Sequence, residues 1–284
     1  MQTIQEILQS SDYVICDTSV MCGNNDWYTK GVYGTEQFQE IDKEVLQGVA
    51  CSLGFFSDLL TNKKIINPQE ISTEIKRMKD IVRNKISDLE RGTYTDLRKQ
   101  KWRRNRTERT KQEVLLHEIC NLFHKLQERT RSDSIFPKGP EYNQLEKITL
   151  KISECAHSKI DYRWKHIHHW RAKKHYDLCT DEKMIALAFY MTDMQETEGG
   201  ILTKDDDVRR LAVDTLSYLS KSKILRMNQV AERARKIGIK IYSPVKQNYF
   251  SCIFNSSEHW LKSKKLFQRD IQKIDEEMIN YSLN

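Results

Sequence analysis

Proline and glycine are scarce in this chain, at 4 and 10 residues of 284. That excludes a collagen-like or low-complexity Pro/Gly-rich protein and leaves a mostly helical one with few tight turns. No Cys-x-x-Cys pair occurs: the seven cysteines, at 16, 22, 51, 120, 155, 179 and 252, are dispersed and odd in number. Their pattern argues against a disulfide frame or a zinc knuckle and for reduced thiols. Nowhere do about eighteen apolar residues run together, the length that a membrane-crossing helix needs. Residues 1–10 are polar and read as a short helix with a Thr3/Glu6 capping box, not as a secretory leader. The expectation is a soluble, cytoplasmic protein with no membrane partner.

What is present is 38% hydrophobic and 31% charged, which suffices for a globular core. The length exceeds that of a usual single domain, so one elaborated domain or a core with a large insertion is expected. A net charge of +7 permits a polyanionic partner without requiring one.

The most informative stretch is 199–207, Gly-Gly-Ile-Leu-Thr-Lys-Asp-Asp-Asp. Two glycines and an apolar pair read as a short buried parallel strand, and the acids follow at its carboxyl end, where open α/β sheets bind ligands. Val208, Leu211, Ala212, Thr215, Leu216 and Leu219 then keep helical spacing. A solvated turn would also account for an isolated Asp-Asp-Asp.

Upstream, residues 12–17 (Asp-Tyr-Val-Ile-Cys-Asp) form a compact apolar run closed by Asp17, which predicts a first parallel strand. Residues 35–60 predict one long or two short helices. Residues 64–67 predict a second strand, and Pro68 opens a helix with the stripe Ile71, Ile75, Met78 and Val82, beside which Glu74 lies. From 84 to 175 the patterns are only helical, with Leu115, Ile119, Leu122, Phe123 and Leu126 in one helix and Leu145, Ile148, Ile152 and Cys155 in another. Two basic segments flank this pair. One holds Arg98, Lys101, Arg103, Arg104, Arg106 and Arg109 around Trp102. The other interleaves Lys165, Arg171, Lys173 and Lys174 with Trp164, Trp170 and four histidines. Thr180 is a candidate N-cap for a helix with the stripe Met184, Leu187, Ala188 and Met191, which places Asp181 in its first turn, where the helix dipole alone favours an acid. Asn228 predicts the cap of a helix ending at Gly238, residues 239–243 a last strand before Pro244, and 257–281 a final amphipathic helix. This order predicts an α/β fold with a central parallel sheet covered on both faces.

Four acids thus stand at comparable places: Asp17, Glu74, Asp181 and Asp205. With the segments around them they resemble the PIN-domain nuclease family. The resemblance is carried by residues 14–19 (Val-Ile-Cys-Asp-Thr-Ser), by Pro68, Ile71, Glu74 and Ile75, by 180–190 (Thr-Asp-Glu-Lys-Met-Ile-Ala-Leu-Ala-Phe-Tyr), and by 201–207. It covers about residues 12–83 and 177–244, in the family's order. It implies a three-layer α/β/α PIN-like core in two parts, 1–83 and 176–246, interrupted by a basic helical insertion at 84–175 and followed by a helical extension at 247–284. The implied activity is a metal-dependent endonuclease, acting more often on RNA than DNA, with Asp17, Glu74, Asp181 and Asp205 as catalytic metal ligands and Asp207 in support.

The chemistry agrees, because phosphodiester hydrolysis needs an activated water and charge neutralisation, and Mg²⁺ or Mn²⁺ held by carboxylates supplies both. Converging carboxylates repel one another unless a cation lies between them. Thr18 and Thr203 are candidates to orient the carboxylates. The basic segments suit phosphate contacts and the tryptophans suit base stacking, although helix faces and core packing use the same residues. The histidine spacings fit no zinc pattern. Alternatives are a flap-type DNA nuclease and a PIN-like RNA-binding scaffold without activity; a toxin of a toxin–antitoxin pair is a biological variant of the first reading. A protein partner or a second copy of the chain stays open.

Overall fold

The computed structural model describes residues 1–21, 43–91, 106–132, 139–157, 179–246, 248–258 and 268–282. The fold is α/β, mostly helical with one five-stranded sheet. In chain order its elements are β1 (Gln2–Thr3), α1 (Ile4–Ser10), β2 (Tyr13–Cys16), α2 (Thr18–Met21), α3 (Lys43–Leu59), α4 (Gln69–Arg91), α5 (Arg106–Ser132), α6 (Pro140–His157), α7 (Thr180–Gln195), β3 (Gly199–Leu202), α8 (Asp206–Lys221), α9 (Leu225–Ile237), β4 (Ile239–Lys246), β5 (Tyr249–Asn255) and α10 (Gln268–Ser282). Two compact units are present. The first comprises Met1–Asp17, Lys64–Glu70 and Ile135–Asn284, and the second Thr18–Lys63 and Ile71–Ser134.

The first unit holds the sheet, in the order β1-β5-β4-β3-β2. Strands β2, β3 and β4 are parallel, whereas β5 and β1 add to the β4 edge in antiparallel fashion. The expected all-parallel sheet is therefore a mixed one. The reason is local: β4 does not stop at Pro244 but returns at once into β5 through Asn248, at φ 64, and so short a connection can join only antiparallel strands. Pro244 is tolerated because the register shifts between Pro244 and Lys246, and an irregularity is where a strand accommodates a missing N–H. In place of the expected strand at 64–67 stand isolated bridge residues, Ile65 and Asn67, of which Ile65 pairs in parallel with Val14.

Every residue of β2 and of β3 is buried, as the near-continuous apolar runs of a covered parallel sheet require. Helix α7 carries the expected stripe, but Ile185, Ala186 and Phe189 are buried as well, so it is apolar all round and lies in the interior. Its end is fixed by Asp193, whose side chain is 1% exposed and ion-paired to Arg226 and Arg233 of α9. The stripe expected on α8 is buried throughout. Helix α9 starts at Leu225 after Ile224. Asn228, expected as its cap, lies inside the helix and donates from Nδ2 to the Ser222 carbonyl at 2.9 Å. Of the helix expected at 257–281, residues 268–281 are helical in α10, 257 and 258 lie in a turn, and 259–267 lie outside the described residues. The buried Asp275 of α10 accepts from Tyr218 Oη at 2.7 Å, Ser222 Oγ at 2.6 Å and the Lys223 amide at 2.9 Å. The capping box on α1 is formed by Thr3 and Glu6.

In the second unit α3 packs on α5, with Leu46, Val49, Leu53 and Phe56 on one helix and Leu116, Ile119, Phe123 and Leu126 on the other buried. Leu116 takes the core position that the spacing assigned to Leu115, which is half-buried. Helix α4 buries Ile71, Ile75, Met78 and Val82, and its Lys79 donates to Gln127 of α5 at 2.6 Å. No helix among the described residues is long and apolar enough to cross a membrane.

The register of β2 against β3 depends on one residue. Tyr13 and Gly199 are partners across the pair, and the buried Tyr13 hydroxyl donates to the Ala188 carbonyl of α7 at 2.8 Å. A Cβ at 199 would lie 2.1 Å from the Tyr13 hydroxyl oxygen and 2.2 Å from the ring carbon that bears it, well inside van der Waals contact. Gly199→Ala should therefore destabilise by at least the ~1–3 kcal/mol typical of overpacking, read from urea unfolding. Tyr13→Phe should not rescue it, because ring carbons as well as the hydroxyl meet the new methyl. An alanine variant as stable as wild type would refute this placement of the ring.

Candidate active site

Pairing of Cys16 with Leu202 brings the next two residues, Asp17 and Thr203, opposite each other at the carboxyl ends of adjacent parallel strands. Their backbones are pinned there: the Asp17 amide donates to the Leu202 carbonyl at 2.9 Å, and the Thr203 amide to the Tyr242 carbonyl at 3.0 Å. Asp17 is 5% exposed and Thr203 fully buried. Thr203 Oγ1 donates to Asp17 Oδ2 at 2.7 Å and accepts from the Asp205 amide at 2.9 Å. One hydroxyl thus ties Asp17 to Asp205.

Asp205 is the N-cap of α8, with extended backbone, and its Oδ1 accepts from the Asp207 amide at 2.8 Å. The sequence expectation that the acids stand on the turn between strand and helix is met in this detail. The two acids that follow are engaged with arginines of the next turn. Asp206 pairs with Arg209 Nε at 2.6 Å and Arg210 Nε at 2.7 Å, and Asp207 with Arg210 at 3.3 Å. The hydrogen bond from Arg209 holds the Asp206 carboxyl below the usual carboxylate range. Asp206 is exposed but ion-paired.

Asp181 is half-buried in the first turn of α7. That helix is preceded not by a capping Thr180 but by Cys179, at φ 51 and ψ 41, whose side chain makes no capping hydrogen bond. Two residues on, Lys183 Nζ lies 2.6 Å from Glu70 Oε1 and 3.5 Å from Glu146 Oε1. Burial pulls the Lys183 pKa down, but the hydrogen bond and charge of Glu70, with Glu146, outweigh it and hold the ammonium above the ordinary lysine value. Glu182 accepts from Ser153 Oγ at 2.5 Å. The sequence carried no signal for these partners, which join α7 to segments remote along the chain.

Glu74 belongs to the second unit, where it accepts from Thr18 Oγ1 at 2.8 Å. Among the described residues no three His, Cys, Asp or Glu side chains are grouped closely enough to hold a metal ion. Of the four acids, Asp17 and Asp205 are linked through the Thr203 hydroxyl. Of the basic residues, Arg106 and Arg109 stand at the start of α5. Arg98, Lys101, Arg103, Arg104, Lys165, Arg171, Lys173 and Lys174 lie outside the described residues, as do Trp102, Trp164, Trp170 and the histidines at 166, 168, 169 and 175.

Donor chemistry decides what such an arrangement fits. A closed cage of protein ligands is not formed by the described residues. Mg²⁺, however, keeps several waters and is commonly held by one or two carboxylates together with substrate phosphates. The Asp17 carboxylate held by the Thr203 hydroxyl, and the Asp205 carboxylate held by the Asp207 amide two residues beyond that threonine, suit that open mode.

Thr203→Val keeps the shape and removes the hydroxyl, depriving the buried Asp17 oxygen of this donor. The variant should lose about 1–3 kcal/mol of stability in chemical denaturation, while Thr203→Ser should retain most of it. Equal stability of the valine form would show that the hydroxyl does not hold Asp17.

No family model matches the chain, and neither a curated protein nor a solved structure matches it.

Proposed function

We propose that the chain is a metal-dependent endonuclease, with RNA as its substrate more than DNA, and that the β2–β3–β4 part of its sheet belongs to a PIN-like core. The observation that carries this reading is the Thr203 hydroxyl that joins Asp17 to Asp205 at the carboxyl ends of two adjacent parallel strands. That edge is where open α/β sheets bind ligands, and acidic side chains there attract cations rather than the phosphates of a substrate.

In this reading Asp17 and Asp205 hold the cation, with Asp181 as the further candidate ligand in the first unit. Mg²⁺ or Mn²⁺ so bound supplies an activated water and neutralises charge on the phosphoryl oxygens. Thr203 keeps the Asp17 carboxylate in one orientation. Asp205 stays fixed by its own capping bond to the Asp207 amide, so neither carboxylate has to be ordered when substrate arrives. The basic segment from Arg98 to Arg109, with Lys165, Arg171, Lys173 and Lys174, would bind phosphates without reading sequence.

A second reading has its own observation. Because the described residues form no group of three metal ligands, an RNA-binding PIN-like module without activity is the alternative. Incubation with labelled single-stranded RNA, structured RNA and flapped DNA, in Mn²⁺, Mg²⁺ or EDTA, separates the two. Cleavage that EDTA stops supports the nuclease, and binding without cleavage in any metal supports the module.

If the nuclease reading holds, Asp17→Asn and Asp205→Asn each abolish metal-dependent cleavage, while circular dichroism and the melting transition show an intact fold. Full activity in both variants would remove these residues from the reaction. Neutralising Arg103, Arg104 and Arg106 together should flatten the salt dependence of RNA binding by roughly 0.7 log-log units for each single-strand phosphate that is no longer neutralised. It should raise KM with kcat unchanged, the pattern of weakened uniform binding. An unchanged salt slope would exclude this segment from the substrate interface.

A further inference from the structure

Strand β2 is flanked by β3 on one side and, on the other, by residues 64–67, which belong to the same unit and lie parallel to it at the Val14–Ile65 bridge. On that second side the Val14 amide donates to the Lys64 carbonyl at 2.8 Å, and the Ile66 amide to the Val14 carbonyl at 3.0 Å. A continuing parallel ladder would next offer Cys16 the carbonyl of Ile66. Cys16 is met by a side chain instead: Asn67 Oδ1 accepts from its amide at 2.9 Å. Pro68 follows and α4 begins at Gln69, so Asn67 is the last residue of this segment before the chain turns into the helix. Asp17 comes directly after Cys16. Asn67 therefore stands at the carboxyl end of β2, on the flank away from Thr203.

The same bond fixes how the amide is turned. A backbone N–H can be met only by the oxygen, so the nitrogen is the other end of the group. Its two N–H donors find no partner among the described residues. Asn67 is 2% exposed, and polar groups in so enclosed a place are as a rule hydrogen-bonded. Holding β2 uses the oxygen alone, which leaves the donors for a group that the described residues do not supply.

The chemistry of the site names that group. Carboxylates repel a phosphodiester, and a cation between them can reach only some of its oxygens. A lysine at this place would compete with the cation for Asp17, whereas an amide offers donors without charge.

We propose that Asn67 contacts the substrate, its Nδ2 donating to a non-bridging oxygen of the scissile phosphodiester that the cation does not hold. The proposal rests on the nuclease reading given above. The Cys16 amide keeps the donor in place before substrate arrives, and donors so preorganised are the ones that stabilise charge as it develops in a reaction.

The test compares Asn67→Asp, which keeps an oxygen for the Cys16 amide and removes the donors, with Asn67→Ala, which removes both. Melting transitions and Mn²⁺ binding are measured without substrate, and cleavage is followed on RNA carrying a phosphorothioate of either hand at the mapped cleavage position. Sulfur accepts hydrogen bonds poorly, and Mn²⁺ tolerates it better than Mg²⁺ does. In the wild type one hand should therefore be cut slowly in both metals, because the oxygen it replaces is held by an amide. Asn67→Asp is expected to melt near wild type, to bind Mn²⁺ at least as tightly, to lose on the order of a hundredfold in kcat on ordinary RNA, and to lose the discrimination against that hand. Asn67→Ala should lose the same discrimination while melting earlier, and it carries the comparison if the aspartate form does not fold. An aspartate variant that cleaves as wild type would reduce Asn67 to a support for β2 and overturn the proposal alone, as would a sulfur penalty that persists in both variants. A wild-type protein that binds no Mn²⁺ and cuts no RNA would overturn the nuclease reading, and this proposal with it.

Discussion

A carboxylate at 5% exposure has to find its hydrogen-bond donors inside the protein, and Asp17 is such a group. Left short of one, a buried charge of this kind costs more than a typical single interaction returns. Thr203 meets the need only because β2 and β3 pair with Cys16 against Leu202. A slip of one residue would set Leu202 or Lys204 across from Asp17 and would turn the side chains of the slipped strand to the opposite face, since side chains alternate along a strand. The register is in turn fixed by shape, with Tyr13 lying over a position that only glycine leaves open. The polar link at the strand ends and the steric fit at their beginnings therefore enforce the same alignment.

Much of this was legible in the sequence because local chemistry and tertiary structure agree. The apolar runs of β2 and β3, the capping box of α1 and the stripe of α8 appear where spacing put them. The acids around 205 also fall on the strand-to-helix turn as read. The misreadings share a cause. Pro244 looked like the end of a strand, but a register irregularity absorbs it, and that hid the β4–β5 hairpin and with it the antiparallel edge. Asn228 looked like a cap because its chemistry suits one, yet the helix begins three residues earlier behind an isoleucine. Residues 64–67 had strand composition, but they contribute isolated bridges rather than a strand, because the chain turns into α4 straight after Pro68.

The candidate site was legible as a set of residue types but not as a set of contacts. Thr203 was readable as an orienting residue, since it lies between a strand and an acid. The engagement of Asp206 and Asp207 by Arg209 and Arg210 follows from helical spacing and could have been read from it. By contrast, nothing along the chain announces that Glu70 and Glu146 meet at Lys183, or that α6 lies against α7. Those facts belong to the tertiary structure. They also change how the middle of the chain is viewed, since α6 sits in the unit that contains the sheet while α5 belongs to the other.

The strand order has a consequence for the chain as it is made. Asp17 and Thr203 are separated by 186 positions, and β1 pairs with the still later β5. A ribosome adding about 5–20 residues per second would finish β3 on the order of ten to forty seconds after β2. Throughout that interval β2, apolar at every position and lacking its β3 neighbour, offers an unpaired edge in a crowded cell. Such edges are what chaperones bind and what aggregation starts from. Strands β1 and β2 are thus synthesised well before the strands that secure them.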